Sequence, residues 1–239
     1  MILEGNVSVK AAVLGGKRNV TKIMADRNKH DKDTSFILHQ AEKRGIPVER
    51  KSREEIDALA SGRTHGGLIA EASFRTYQKT ADVLQKKDPF FAIVEGVEDP
   101  FNLGYVIRSL YSAGCDGLFL DQRNWQNAES VILKSSAGAF EYLDIIMSED
   151  LCEDIRRMKQ KGIRTFAAMR KDAVEYFDAD LKRPLLIAIG GEMRGLSASV
   201  RKEIETNIYI PYANDFRNAL NASGASAAIA FEVMRQNRK

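Results

Sequence analysis

The sequence predicts an α/β protein in which a small N-terminal α/β domain precedes a larger domain built on a parallel sheet. Over residues 89–239, short apolar strands alternate with helical segments, a pattern typical of parallel strands covered by helices on both faces. A shorter alternating pattern covers residues 1–76, and a polar segment separates the two regions. Three strands lead into helices through turns of glycine or other small residues, which favours a ligand site at the carboxyl ends of the strands.

The N-terminal domain, residues 1–76, is predicted from helix caps and apolar periodicity. Ser52, with Glu55 three residues later, has the pattern of a capping box, and Gly45 is placed to close the preceding helix. In chain order we predict a short helix with its apolar face on residues 9–14, strand Val20–Ala25, helix Ser35–Arg44, a strand opened by Pro47, a helix after Ser52 and strand Leu68–Ala72.

Residues 77–88 are predicted to be a linker with some helix, because they are polar and end at Pro89. The second domain, residues 89–239, then holds the parallel sheet. Its predicted strands are Phe91–Glu95, Gly117–Leu120, Arg164–Ala168, Leu185–Ile189 and Asn207–Ile210. Its predicted helices are Asn102–Ala113, Ala128–Lys134, Glu149–Lys161, Ser197–Glu203 and a long helix that ends the chain.

The composition is that of an ordinary globular protein, with 44% hydrophobic and 29% charged residues among 239. No apolar run reaches the ~18 residues of a membrane span, so we predict no transmembrane helix and no membrane partner. Lys10, Lys17 and Arg18 interrupt the N-terminal region, which therefore lacks the pattern of a signal peptide. Cys115 and Cys152 do not form a CxxC pair, so we expect neither a metal nor a redox site and predict a cytoplasmic protein.

The net charge of +3 is unevenly distributed along the chain. Residues 1–88 hold 17 Lys and Arg against 12 Asp and Glu, so +5, and the remainder is −2. This basic excess is compatible with a polyanionic partner such as nucleic acid. Solvated surface charge is the commoner cause of such an excess.

The common fingerprints of nucleotide and metal sites do not fit this chain. Gly16-Lys17 is followed by Arg18 where a P-loop needs Ser or Thr, and the glycines from Gly190 onwards have the wrong spacing for GxGxxG. The three histidines lie in the N-terminal domain without the spacing of a zinc protease. Metal-dependent hydrolysis and Ser-His-Asp catalysis are therefore poorly supported.

Three polar residues at the strand ends are candidates for chemistry. Asn102 opens a helix and is interpreted either as its N-cap or as a hydrogen-bonding group for a substrate. Arg108, on the same helix, forms either a surface ion pair or a bidentate contact to a phosphate. Glu192 follows two glycines after a buried strand, which directs it towards the ligand end of the sheet; a solvated loop acid is the alternative.

The last helix begins with a run of small residues, 222–228, which follows a strand that ends at Ile210 and Pro211. Small residues allow the close approach of another backbone or of a ligand. Tight packing in a core explains the same composition. Two earlier strands also lead into helices through glycine-containing turns, and this favours the ligand interpretation over core packing.

Together these segments resemble the three signature motifs of the SpoU (TrmH-like) branch of the SPOUT RNA methyltransferases. The motifs are Asp99-Pro100-x-Asn102-Leu103-Gly104 with Arg108 beyond it, Gly190-x-Glu192-x-x-Gly195-Leu196-Ser197, and Ile210-Pro211 followed by Leu220-Asn221-x-Ser223. Residues 134–139 also resemble a Ser-x-Gly-Ala element of that family. Residues 44–48 and 65–67 resemble the ribosomal-protein-like substrate-binding domain of several members, so the resemblance covers nearly the whole chain.

The resemblance implies transfer of a methyl group from S-adenosylmethionine to a ribose 2′-hydroxyl of RNA. It implies a deep trefoil knot near the C-terminus, which ordinary fold rules would exclude. The cofactor is expected to lie in the knot against backbone groups of Gly190, Ile210 and Leu220, with Gly191 and Asn221 close by. A homodimer is expected, because active members complete each site with the partner chain. The separate N-terminal domain favours ribosomal RNA over transfer RNA by analogy.

By the same resemblance, the catalytic residues are Asn102, Arg108, Glu192 and Asn221. Arg108 matches the arginine that is assigned to activate the 2′-hydroxyl. Because an arginine keeps its proton at neutral pH, this residue is better suited to anchor a neighbouring phosphate and to stabilise the developing alkoxide. Glu192 and Asn102 would orient Arg108 and the hydroxyl, and either Glu192 or water would accept the proton.

Two positions depart from the family pattern. Ala219 stands where the third motif usually has serine, and Gly66 stands where glutamine is common beside the histidine. If the serine hydroxyl contributes to the site, this chain has lost it. The alternative function is therefore a non-catalytic knotted RNA-binding or ribosome-assembly protein. A third hypothesis is an enzyme of an unrelated α/β type that acts on a small molecule. No cofactor motif apart from those of the SpoU family fits the chain, so the sequence does not support this hypothesis.

Overall fold

The computed structural model describes residues 1–191, 194–215 and 218–238. The strands are β1 (Ile2–Glu4), β2 (Val20–Asp26), β3 (Val48–Lys51), β4 (Leu68–Ala72), β5 (Phe90–Glu95), β6 (Gly117–Asp121), β7 (Ile145–Ser148), β8 (Arg164–Ala168), β9 (Ala173–Glu175), β10 (Leu185–Gly190) and β11 (Thr206–Tyr209). The helices are α1 (Gly5–Gly15), α2 (Lys32–Lys43), α3 (Arg53–Leu59), α4 (Thr80–Val83), α5 (Pro100–Ser112), α6 (Glu129–Ser135), α7 (Leu151–Gln160), α8 (Ala198–Glu203) and α9 (Ala222–Gln236). Within these ranges, none of the helices is long and apolar enough to span a bilayer.

The chain divides into two compact units. The first combines residues 1–76 with residues 125–142, and the second combines residues 77–124 with residues 143–239. Sequence analysis placed residues 125–142 in the second domain and residues 77–88 in a linker. In the structure, Val83 and Leu84 of that predicted linker lie in the apolar core of the second unit.

The first unit contains a four-stranded sheet in the order β1-β4-β2-β3. Strands β2 and β3 are parallel, whereas β4 runs antiparallel to both β1 and β2. The capping box predicted at the start of α3 is confirmed: Ser52 Oγ accepts a hydrogen bond from the Glu55 amide at 3.3 Å, and the Glu55 carboxylate accepts one from the Ser52 amide at 2.6 Å. Strand β1 was not predicted, because three residues leave no periodic pattern.

Within the first unit, a buried cluster of charged side chains connects residues 125–142 with residues 1–76. The guanidinium of Arg18 lies 3.0 Å from the Glu129 carboxylate and 2.6 Å from the Glu141 carboxylate, and all three side chains are fully buried. The backbone N–H of Arg75 donates to both carboxylate oxygens of Glu129 at 3.2 and 3.1 Å. Burial raises the pKa of Glu129, against the lowering influence of Arg18.

The second unit contains a seven-stranded sheet in the order β7-β6-β5-β10-β8-β11-β9, and every neighbouring pair is parallel. The predicted parallel sheet is thus confirmed, with each predicted strand correct to within one residue at either end. Its central strands β5 and β10 are continuous apolar runs that are buried on both faces. Strands β7 and β9 were missed, and the trefoil knot stays a prediction.

Candidate cofactor cavity and catalytic residues

A cavity of about 470 Å³ opens at the carboxyl ends of β8, β10 and β11. Four of the five residues assigned to the cofactor from the second and third motifs, Gly190, Gly191, Ile210 and Leu220, line it, whereas Asn221 does not. Its volume falls in the range of about 300 to 1,000 Å³ that is typical of small-molecule sites. The structure therefore brings these four residues together where the parallel strands predicted a ligand, and their contact with a cofactor stays a prediction.

Aliphatic side chains and small residues form most of the cavity wall. Ile189, Leu196, Ile208 and Ile229 line it, together with Ala222 and Ala225 from the first turns of α9. Small residues in those turns leave room for a ligand. The same helix packs closely against α5, so the run of small residues serves both the cavity and helix packing.

Gly190 and Gly191, at the end of β10, lie so close to other backbone atoms that only glycine fits at either position. A Cβ placed on Gly190 would lie 2.3 Å from the backbone of Gly195, and one placed on Gly191 would lie 2.2 Å from the carbonyl oxygen of Gly96. The loop after β10 is fixed to β5 by two hydrogen bonds. The Gly191 amide donates to the Glu95 carbonyl oxygen at 2.7 Å, and the Ser197 amide donates to the Glu95 carboxylate at 2.8 Å.

Replacement of Gly191 by alanine is expected to weaken binding of S-adenosylmethionine by roughly 10- to 100-fold. The added methyl group collides with rigid backbone rather than with a movable side chain, and such overpacking typically costs about 1–3 kcal/mol. Isothermal titration calorimetry measures the binding, and circular dichroism verifies that the sheet remains folded. An unchanged dissociation constant in the folded variant would exclude this loop from the cofactor site.

Basic side chains surround the cavity. Arg170, Lys171, Arg194 and Arg201 all line it and are exposed, and none of them forms an ion pair with another described residue. No Asp or Glu of the described residues lines the cavity. Arg170 and Lys171 were not among the predicted site residues, although they follow the correctly predicted strand β8 at the end where ligands bind. The described part of the chain also contains no group of three His, Cys, Asp or Glu side chains that could hold a metal ion.

The third motif ends in a helix cap. Asn221 precedes α9, and its side-chain oxygen accepts hydrogen bonds from the Gly224 amide at 2.8 Å and the Ser223 hydroxyl at 3.0 Å. Its neighbours Leu220 and Ala222 line the cavity, whereas Asn221 does not. Asn221 therefore fixes the start of α9 and the backbone before it, and its predicted catalytic role stays a prediction. Ala219, which departs from the family pattern, also lines the cavity.

The first motif begins α5, and the structure excludes one of the two interpretations of Asn102, that of the N-cap. Asp99 is the N-cap, and its carboxylate accepts a hydrogen bond from the Asn102 amide at 2.8 Å. Asn102 thus lies in the first helical turn behind Pro100, so its half-exposed side chain is not the cap. An aspartate followed by proline is the stronger start signal, because proline suits the first helical position.

Arg108 lies on the exposed face of α5. It forms no ion pair or hydrogen bond with the residues that the structure describes, so the surface ion pair considered for it is not found there. Neither Arg108 nor Asn102 lines the cavity. Glu192, the remaining candidate, lies outside the described residues. The catalytic assignments therefore stay predictions, and Arg108 remains available for an anionic partner.

Comparisons with known proteins place the chain in a family. Residues 89–231 match the model of the SpoU rRNA Methylase family. Residues 2–78 match a second family model, which is described as RNA 2′-O ribose methyltransferase substrate binding. A relative from Shewanella oneidensis, the 23S rRNA (guanosine-2′-O-)-methyltransferase RlmB, is 29% identical over 241 residues, covering 99% of this chain and 98% of the relative.

Solved structures show the same fold at lower identity. The SpoU methyltransferase AviRb from Streptomyces viridochromogenes, in complex with AdoMet, has a TM-score of 0.80 at 22% identity and covers 99% of this chain and 90% of its own. An rRNA methyltransferase from Sinorhizobium meliloti has a TM-score of 0.78 at 21% identity, covering 98% and 86%. Since the first family match contains all three signature motifs, the chain belongs to the SpoU rRNA methylase family.

Proposed function

We propose that this protein transfers a methyl group from S-adenosylmethionine to a ribose 2′-hydroxyl of ribosomal RNA in the cytoplasm. The observation that carries the proposal is the single cavity that collects Gly190, Gly191, Ile210 and Leu220 from two separate motifs. The family match supports the reaction, and the relative from Shewanella oneidensis supports ribosomal RNA as the substrate class.

The residues of the cavity fit S-adenosylmethionine. Its aliphatic wall suits the apolar parts of the ligand, Gly190 and Gly191 contribute wall positions without side chains, and the basic rim suits a carboxylate. When bound, S-adenosylmethionine supplies an electrophilic methyl group carried on a positively charged sulfur. The chain then needs chiefly to align the ribose oxygen with that group and to exclude water.

Arg108 is proposed to hold the RNA. Its guanidinium has no ion-pair partner among the described residues, so it can bind a phosphate beside the target ribose in a bidentate manner. From that place it stabilises negative charge as the 2′-oxygen gives up its proton. Glu192 or water accepts the proton, and Asn102 helps to orient the hydroxyl.

The charge around the cavity supports an RNA substrate. Arg170, Lys171, Arg194 and Arg201 lie around one opening without a lining carboxylate among the described residues. Such a rim attracts the phosphodiester backbone, and neutralised phosphates release counterions. Residues 2–78, which match the substrate-binding family, are proposed to make further RNA contacts.

We also propose that the active form is a homodimer. Arg108 does not line the cavity of its own chain, which supports a site completed by a second copy. Helices α5 and α9 pack together, and both leave large apolar side chains exposed: Phe101, Tyr105, Tyr111, Phe231 and Met234. An apolar face beside the predicted catalytic arginine fits an isologous contact between two copies.

Transfer of labelled methyl groups tests the proposal. The purified protein is incubated with methyl-labelled S-adenosylmethionine and unmodified ribosomal RNA, with bulk transfer RNA as the comparison substrate and the Gly191→Ala variant as the negative control. We expect label in ribosomal RNA only. A protein that binds S-adenosylmethionine but labels neither RNA would instead favour the non-catalytic alternative, in which Ala219 in the cavity wall marks a lost hydroxyl.

A further inference from the structure

Tyr212, which follows β11, accepts a hydrogen bond from a residue shortly before α9. The hydroxyl oxygen of Tyr212 accepts a hydrogen bond from the backbone N–H of Leu220 at 2.7 Å. The described residues between them contain neither helix nor strand. This bond therefore connects two positions that no helix or strand among the described residues between them links.

The Tyr212 ring also contacts an arginine that follows a different strand. The guanidinium carbon of Arg170, which follows β8, lies 4.5 Å from the centroid of the Tyr212 ring. That distance is well within the ~6 Å over which a cation is attracted to an aromatic face. Arg170, Tyr212 and Leu220 all line the 470 Å³ cavity, and Arg170 and Tyr212 also border a neighbouring opening of about 260 Å³.

Burial does not hold Leu220 in place, because 44% of this residue is exposed. One polar contact is made by its backbone, and a second is made by the next residue along the chain. On one side, Asn221 caps α9 through the Gly224 amide; on the other, the Leu220 amide donates to Tyr212. Loss of the contact with Tyr212 would remove the hydrogen bond that the Leu220 amide donates in the structure.

We propose that Tyr212, braced by Arg170, is a positioning residue that sets the Leu220 backbone for binding of S-adenosylmethionine. The inference rests on the proposed function, since it assigns this cavity to that cofactor. It adds two residues, from the segments after β8 and β11, that lie outside the three signature motifs or at positions the motifs leave open. Their effect is expected on cofactor affinity, not on the methyl-transfer step.

The test variant is Tyr212→Phe, which keeps the ring and its contact with Arg170 but removes the acceptor. A net hydrogen bond contributes ~0.5–1.5 kcal/mol, so we expect the dissociation constant for S-adenosylmethionine to rise about 3- to 10-fold. The KM for S-adenosylmethionine should rise by the same factor, while kcat at saturating cofactor stays within about twofold. In the ligand-free protein, the Leu220 amide should exchange with solvent faster than in the wild type.

Two further variants sharpen the test. Tyr176→Phe removes a hydroxyl from a tyrosine of the same unit that does not line the cavity, and it should leave cofactor binding unchanged. Arg170→Met removes the cation and should weaken binding in the same direction as Tyr212→Phe. Tight wild-type binding combined with unchanged affinity and unchanged Leu220 exchange in Tyr212→Phe would overturn the positioning role alone. A wild-type protein that does not bind S-adenosylmethionine would overturn the proposed function together with this role.

Discussion

Replacing Arg108 by alanine is expected to lower kcat for methyl transfer on the order of 10²- to 10³-fold, the usual effect of removing one group that stabilises developing charge. The dissociation constant for S-adenosylmethionine should stay within about twofold, because Arg108 does not line the cavity. Single-turnover kinetics and calorimetry measure the two quantities. Arg157→Ala is the matched control, since Arg157 is also exposed on a helix of the second unit but lies away from the cavity.

Mixed dimers decide whether Arg108 acts on its own cavity or on that of a second copy. One chain carries Arg108→Ala and the other carries Gly191→Ala, so each homodimer is expected to be impaired. If the sites are shared between chains, the mixed dimer contains one intact site and should recover roughly half of the wild-type activity. Activity no higher than that of either homodimer would contradict a shared site.

Replacing Arg18 by alanine is expected to lower the free energy of unfolding of the first unit by about 3–5 kcal/mol, because it leaves buried carboxylates without their partner. The Arg18 guanidinium lies within 3.0 Å of both Glu129 and Glu141, and no side chain of the three is exposed. Arg53→Ala is the matched control in the same unit. Its ion pair with Asp57 is about half exposed, so its loss should cost less than about 1 kcal/mol.

The measurement has a local probe. Trp125 is the sole tryptophan of the chain, and it is buried within the first unit. Its fluorescence during urea denaturation therefore reports the unfolding of this unit rather than of the whole chain. An Arg18→Ala midpoint close to that of Arg53→Ala would contradict the role assigned to the buried cluster.

The destabilisation by Arg18→Ala should also depend on pH. Burial already raises the pKa of Glu129, and Arg18 opposes that rise, so removal of Arg18 should raise the folded-state pKa further. When the pKa of a carboxyl group is higher in the folded state than in the unfolded state, the free energy of unfolding of the protein decreases as the pH rises from the unfolded-state pKa to the folded-state pKa. The difference between variant and wild type should therefore shrink as the pH falls towards the ordinary value for glutamate.

The parts of the fold that follow from local patterns were predictable from the sequence. Strands β5 and β10 are unbroken apolar runs, as strands buried on both faces require. Strands β1 and β9 have only three residues each, too few for a periodic signal. The attachment of residues 125–142 to the first unit was not predictable, because it depends on a buried contact between Arg18 and Glu141, 123 positions apart.

In the candidate site, too, some residues were predictable from the sequence and others were not. Gly191 was predicted from its place in the second motif, and the structure gives the physical reason for glycine there, since a Cβ would lie 2.2 Å from the Gly96 carbonyl oxygen. The cap alternative for Asn102 is excluded because Asp99, which is followed by proline, is the N-cap of α5. Tyr212 and Arg170 were not predicted, because the contact between them joins segments that follow two different strands, β11 and β8. The strand-end rule would have pointed to Arg170, which follows β8.

The most direct test of the proposed function is the identity of the atom that receives the methyl group. Labelled ribosomal RNA is digested to nucleosides and separated by mass spectrometry, and the modified position is mapped by resistance to alkali. We predict that all label appears in a 2′-O-methylnucleoside at a single ribose, and that Arg108→Ala slows its appearance on the order of 10²- to 10³-fold. Label on a base, or no label from a wild-type protein that binds S-adenosylmethionine and forms a dimer, would contradict the account.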